Sequence, residues 1–167
     1  IVFLSSLTTF AILFTDAFES VTPVTSFFES FSNVRKGYGS ELNCKTVKNF
    51  SALTGGKYKT VNVNKELQMT VEKSDSFGMF ETGYLSTGTK DQAYLSLRLA
   101  ICELISEKEN YPIFLDDALS NYDDIRTKTA VSFLNEYAKS GQVIMFTCHG
   151  NVKQNGIEIG ANSKDLK

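Results

Sequence analysis

Tyr111-Pro112-Ile113-Phe114-Leu115-Asp116-Asp117 is the stretch on which the fold turns. A short apolar run that stops at two carboxylates reads as a buried strand whose functional end is its carboxyl terminus. Downstream, Ile125 to Lys139 carries Ala130, Phe133, Leu134, Tyr137 and Ala138 at helical spacing, with Gly141 placed to end the helix. Val143 to Thr147 then reads as a second buried strand. Strand, helix, strand of these lengths is a βαβ unit, with parallel strands and a right-handed crossover. On that reading Asp116, Asp117 and the sole histidine, His149, share one edge of a sheet.

Upstream, Ala93, Leu97, Ala100, Ile101, Leu104 and Ile105 predict a helix from near Thr89 to Ser106, after a loop over Ser74 to Gly83. Tyr58 to Val63 and Leu67 to Val71 alternate around Asn64-Lys65-Glu66, as an antiparallel edge hairpin does. Leu42, Val47 and Phe50 lie near helical spacing until Thr54-Gly55-Gly56 breaks the pattern. Gly156 to Gly160 is read as a last strand and Ala161 to Lys167 as a polar tail without structure. Ile1 to Thr15 is uncharged and apolar apart from Ser and Thr. It reads either as the end of a membrane span, short of the ~20 residues a span needs, or as a core segment packing Phe3, Phe10, Phe14 and Phe18. A start at Ile1 rather than Met suggests a piece of a longer polypeptide.

Composition narrows the classes. In 167 residues, 17 Lys and Arg face 19 Asp and Glu, a net charge of −2 that argues against a generally basic nucleic-acid binder. With 42% hydrophobic residues, 2 Pro and 11 Gly, the chain is one globular domain at most and not a low-complexity polymer. Cys44, Cys102 and Cys148 are odd in number and form no CxxC pair, so a reducing, cytoplasmic setting is expected. The one basic stretch, Ser32 to Thr60, holds Arg35, Lys36, Lys45, Lys48, Lys57 and Lys59 against Glu41, and is either a solvated face or a phosphate-backbone contact.

Three segments carry candidate chemistry. A strand ending in Asp116-Asp117 suits a magnesium ligand followed by a group that orients water, and equally a solvent-capped strand end. Ser86-Thr87-Gly88-Thr89, opening a helix, offers hydroxyls and free N–H groups to a phosphate, or is an ordinary cap. His149 gains weight from sharing the acids' edge.

Their order and spacing resemble the carboxyl-terminal lobe of an ABC-type ATPase head, in the branch of SMC, SbcC-like and YhaN-like proteins. Leu85-Ser86-Thr87-Gly88-Thr89 resembles the signature motif, with Thr87 and Thr89 in place of the usual Gly and Gln. Asp91-Gln92-Ala93-Tyr94-Leu95-Ser96-Leu97-Arg98-Leu99-Ala100 is similar to the YhaN-like continuation. Ile113 to Asp117 resembles Walker B, Ala118-Leu119-Ser120-Asn121-Tyr122-Asp123 the D-loop, and His149 the switch histidine. Phe50 to Tyr58 resembles the return from a coiled coil into such heads.

The resemblance implies an α/β fold: the carboxyl-terminal lobe of a P-loop NTPase, with a βαβ parallel core and an antiparallel edge hairpin. It divides the chain into an apolar lead-in, 1–34, the lobe, 35–160, and a polar tail, 161–167. ATP and Mg2+ are the implied cofactors. Asp116 would hold magnesium through water, Asp117 the attacking water and His149 the γ-phosphate; of the implied nucleotide-binding set Ser86, Thr87, Gly88, Thr89, Ser120 and Asp123, Ser86 and Gly88 would reach the γ-phosphate of a second head, and Ser120 and Asp123 would couple the two sites. Implied partners are an amino-terminal lobe carrying the P-loop, a second head, DNA and a nuclease, with membrane contact through residues 1–15 left open. Two departures stand out. Asp117 replaces the more common Glu, and no GxxxxGK[ST] loop occurs, Gly55-Gly56-Lys57-Tyr58 being the nearest imitation. Residues 1–34 show no heptads of a coiled coil. The rival readings are a non-catalytic truncated paralogue acting as an interaction module, and the nucleotide-binding subunit of a transporter.

Overall fold

A computed structural model describes residues 2–5, 24–64, 68–75, 78–105 and 112–166. Strand β1 (Val2–Ser5) precedes a long helix α1 (Val24–Leu53), and three strands follow, β2 (Tyr58–Val63), β3 (Met69–Lys73) and β4 (Met79–Glu81). A 3₁₀ turn at Thr82–Tyr84 leads into α2 (Thr87–Ile105). Then come β5 (Ile113–Asp116), α3 (Asp124–Tyr137), β6 (Val143–Phe146), α4 (Gly150–Glu158) and β7 (Asn162–Asp165).

The strands form two sheets. One is four-stranded in the order β5-β6-β1-β7, all neighbours parallel, and the other is antiparallel in the order β2-β3-β4. The βαβ unit is therefore present as expected, with Leu115 beside Met145 and Asp116 beside Phe146. The hairpin is also present, tied by reciprocal bonds between Asn64 and Gln68; its Lys65 to Leu67 tip lies outside the described residues. It lies in the antiparallel sheet, where β2 is an edge strand. β4 pairs with β3 inside the stretch expected to be loop, completing a separate sheet.

Helix α2 explains why two sheets can share one domain. Ala93, Leu97, Ala100 and Leu104 recur on one face and pack with Leu42, Phe50, Val61, Met69 and Val71. Leu95 and Leu99 lie on the nearly opposite face and pack with Leu115, Leu134, Val143 and Met145. A helix apolar on two faces belongs between layers. Its buried polar groups are satisfied: Ser96 Oγ donates to the Ala93 carbonyl (2.6 Å) and Gln92 Nε2 to that of Leu53 (2.7 Å).

Three sequence expectations need correction. Gly156 to Gly160 is not a strand: Val152 and Gly156, one turn apart, are the buried residues of α4, and no strand pattern competes with that short apolar face. Gly160, at φ +82°, ends the helix as Gly N–H donates to Ile157 and Ala161 N–H to Gly156. The same closure stops α1, where Gly55 and Gly56 have positive φ and Gly56 N–H reaches the Ser51 carbonyl. Second, the polar tail contains β7, whose residues are all exposed and whose order comes from pairing with β1. Third, α3 stops before Gly141: Ala138 caps it, and Lys139 and Ser140 close successive turns on Glu136 and Tyr137. Helix α1 runs unbroken across residue 34.

Of the apolar lead-in, Val2–Ser5 is an inner strand of the parallel sheet, and 6–23 lie outside the described residues, Phe10, Phe14 and Phe18 among them. Among the described residues no helix is long and apolar enough to cross a membrane. In the basic stretch, Lys45 pairs with Glu41 and Glu103 and Lys59 with Glu72, so part of its charge is met internally.

The two cores make unequal demands on individual atoms. Leu99 is 1% exposed, and Leu99→Ala is expected to lower unfolding free energy by about 2–5 kcal/mol through lost burial and a residual cavity. Tyr122 is buried as well, but its hydroxyl has no partner among the described residues, and burial pushes its pKa upward so that it stays neutral. Tyr122→Phe is therefore expected to be neutral or to gain about 1 kcal/mol. Urea unfolding of the two variants checks both signs.

Candidate functional site

Parallel pairing of β5 with β6 brings their carboxyl ends side by side, and the ladder continues one residue further as Asp117 N–H donates to the Phe146 carbonyl (2.9 Å). Asp117 then turns out of the strand at φ +46°, left-handed backbone that costs a non-glycine residue about 1–3 kcal/mol. Asp bears this better than most, because its short polar side chain bonds locally. Here Asp117 Oδ1 accepts from Thr147 Oγ1 (3.2 Å), while Oδ2 lies 3.4 Å from His149 Nε2 and 3.8 Å from Cys148 Sγ. The Thr147 hydroxyl also accepts the His149 N–H (3.1 Å). Asp117 and His149 are thus joined directly and through Thr147.

Asp116 is exposed at the end of β5. With Asp117, Ser120, Asp91, Arg98 and Tyr94 it lines a hollow of about 300 Å³. Three carboxylates against one guanidinium leave the hollow negative, and an exposed oxygen donor such as Asp116 suits a hard divalent cation. Phe114, 55% exposed, adds an apolar wall, and β5 ends the sheet order.

The start of α2 lies elsewhere. Thr89, Asp123 and Arg126 line a second hollow of about 260 Å³ with Lys57, Gln92 and Ile125, and the two hollows share no lining residue. Ser86 and Thr87 are exposed, whereas Gly88 and Thr89 are buried. The Ser86 carbonyl accepts from Thr89 and Lys90 N–H, and its hydroxyl bonds that of Thr89 (2.9 Å). Arg126 Nη2 donates to Thr89 Oγ1 (3.3 Å), so this hydroxyl is engaged inside the protein. Asp123 caps α3, accepting the Arg126 N–H (2.9 Å), and also pairs with the Arg126 guanidinium. Asn121 Nδ2 reaches Asp91 (2.7 Å).

The structure accordingly groups Asp116, Asp117 and Ser120 around one hollow, with His149 against Asp117, and groups Thr89 with Asp123 around the other. Three contributors escaped the sequence reading. For Thr147 and Cys148 the signal in the sequence is their adjacency to His149. Arg126 gave none beyond its spacing from Asp123, since only folding brings it to Thr89.

No protein-family model matches the chain. Among solved structures, the chain matches one described as "Structural biochemistry of ATP-driven dimerization and DNA stimulated activation of SMC ATPases", with TM-score 0.62, 18% identity, and 74% of this chain and 76% of that one covered. An SMC head domain from Thermotoga maritima matches with TM-score 0.58 and 20% identity over 76% of this chain and 43% of that one. The fold is therefore that of an SMC-type head lobe, with parallel and antiparallel sheets. In sequence, the chain is similar to the uncharacterized protein YhaN of Bacillus subtilis (strain 168), 29% identical over 105 residues, which is 62% of this chain. The chain spans 11% of that relative's length.

Gly88 supplies a test of the local packing. A Cβ there would lie 2.5 Å from Arg126 Nη1 and 2.7 Å from the Asn121 carbonyl oxygen. The guanidinium can swing away, but the backbone carbonyl cannot do so without moving the turn. Gly88→Ala is expected to cost about 1–3 kcal/mol, read by urea unfolding, and to release the Arg126 contact to Thr89.

Proposed function

We propose that the chain is half of an ATP-hydrolysing head of an SMC/SbcC-like ATPase acting in DNA repair or chromosome maintenance. In this reading Leu85–Thr89 is the signature, Ile113–Asp117 Walker B, Ala118–Asp123 the D-loop and His149 the switch histidine. The observation that carries it is the Asp117–His149 pair at 3.4 Å, on the carboxyl ends of adjacent parallel strands, with Asp116 one residue before. Phosphoryl transfer needs positioned charge more than covalent help, and an acid fixed by two partners beside an imidazole meets that need.

Asp117 would take the proton of the attacking water, and His149 would donate to the γ-phosphate while holding the carboxylate in place. Asp116, exposed in a negative hollow, fits Mg2+, which when bound neutralises phosphate charge. A phosphate cradle of GxxxxGK[ST] type is absent from this sequence, so ATP would be held mainly by an amino-terminal lobe. The uncovered Phe114 and Tyr94 beside the acids suit the docking of such a lobe. Separation of the two hollows favours a signature that acts on a second head, with Ser86 and Thr87 presented outward and Gly88 and Thr89 shaping the turn. Ser120 and Asp123, on the connecting turn, would couple the two. A cytoplasmic location, contact with DNA and association with a nuclease belong to the same reading.

In the complete protein, Asp117→Asn is expected to keep ATP binding and stop hydrolysis, because the amide tolerates the left-handed backbone but cannot accept the proton. Asp116→Ala should instead weaken magnesium-dependent binding. Equal loss of binding in both would mean that the two carboxylates are exchanged. Ser86→Arg is expected to leave nucleotide affinity of a single head nearly unchanged while abolishing ATP-dependent dimerisation, followed by light scattering. Normal dimerisation and turnover in that variant would overturn the signature assignment.

A further inference from the structure

Cys148 has no part in the hydrolysis scheme, yet it stands between the two residues that carry it. Asp117, Cys148 and His149 each offer one ligand atom, and the three atoms lie within 4.8 Å of one another. Tetrahedral zinc, with oxygen and nitrogen ligands at about 2.0 Å and sulfur at about 2.3 Å, separates oxygen from nitrogen by about 3.3 Å and oxygen from sulfur by about 3.6 Å. The corresponding distances here are 3.4 Å and 3.8 Å. The third pair, Cys148 Sγ and the His149 nitrogen, lies within 4.8 Å and would have to close to about 3.6 Å around an ion, a movement the exposed Cys148 side chain can supply.

Three more features fit a metal. Asp117 extends the β5–β6 ladder by one bond, and Cys148 and His149 follow β6 by two and three residues, His149 as the residue that caps α4, so all three are held close to ordered elements. Thr147 Oγ1 holds the carboxylate oxygen that faces away from Cys148 and His149, as the outer partners of metal ligands do. Cys148 is exposed and the other two are half-exposed, which gives an ion a path in. Thiolate, imidazole and carboxylate together select zinc-like ions over magnesium and calcium, which prefer oxygen alone.

We propose that Asp117, Cys148 and His149 form a three-ligand zinc site with its fourth position open to solvent. On binding, the Cys148 thiol releases its proton to water and His149 ligates as the neutral imidazole. Occupation takes Asp117 and His149 away from water and phosphate, so zinc inhibits turnover. That consequence rests on the ATP-hydrolase reading, whereas metal binding does not.

The test is a cobalt titration of the 167-residue chain carrying Cys44→Ser and Cys102→Ser, without nucleotide. The expected result is a thiolate-to-cobalt charge-transfer band with the visible bands of tetrahedral cobalt, both erased by zinc. Cys148→Ser should remove the charge-transfer band, His149→Gln should weaken binding, and Thr147→Val should weaken it by about 10–100-fold. Far-ultraviolet circular dichroism checks that each variant keeps its fold. A cobalt spectrum without the thiolate band, or unchanged affinity in Cys148→Ser or His149→Gln, would overturn the site. In the complete protein, Cys148→Ser should retain turnover and lose inhibition by zinc. Zinc-insensitive turnover with the cobalt spectrum intact would overturn the inhibitory role alone, and a complete wild-type head that does not turn over ATP would overturn the ATPase reading while leaving the metal site standing.

Discussion

Everything in this lobe depends on α2 being buried on two opposite faces. One face, through Leu95 and Leu99, belongs to the core over the parallel sheet, and the other, through Ala93, Leu97, Ala100 and Leu104, to the core under the antiparallel one. The helix can neither rotate nor slide without exposing one set, each large apolar side chain being worth about 1.5–3 kcal/mol on burial. Its start is pinned as well. Gln92 satisfies the last carbonyl of α1, and Gly88 lets the turn at Asn121 and the Arg126 guanidinium approach within a Cβ's distance. The position of Ser86 relative to the Asp116–Asp117 strand end is therefore fixed by the core rather than by a loop.

At that strand end, the same sheet that orders the backbone also stores strain. The β5–β6 ladder delivers Asp117 to a left-handed turn, and its carboxylate is held by Thr147 and set against His149. Preorganisation of this kind leaves little to rearrange when charge develops nearby. It also explains how Cys148, a neighbour of His149 in sequence, comes within reach of the same oxygen. On the two proposals, one arrangement would hold a water-orienting acid or a soft metal, but not both at once.

Much of this was legible in the sequence because local pattern and burial agreed. The acid-ended strand, the crossover helix, the second strand and the helix α2 all carry apolar spacing that a single segment displays, and each appears within a few residues of its expected bounds, although the second buried face of α2, Leu95 and Leu99, emerges only from the packing. What escaped was non-local or unpatterned. Asn162–Asp165 is polar and exposed throughout, and only pairing with β1 makes it a strand. Gly150–Glu158 has two glycines and a narrow apolar face, so its helix rests on Val152 and Gly156 packing inward. The early end of α3 reflects turn closure at Ala138, which left Gly141 without a capping role. Site residues followed the same division. Asp117 and His149 were marked by strand ends, whereas the bonds from Arg126 to Thr89 and from Thr147 to Asp117 join segments 37 and 30 residues apart.

The central claim is that these residues form one half of a hydrolytic centre whose phosphate cradle lies on another lobe. The most direct measurement is magnesium-dependent ATP turnover by the purified 167-residue chain, alone and mixed with a separately expressed lobe that carries a P-loop. The account predicts no turnover by either part and turnover by the mixture that disappears when the chain carries Asp117→Asn. Turnover by the chain alone, or turnover by the mixture that survives Asp117→Asn, would contradict it.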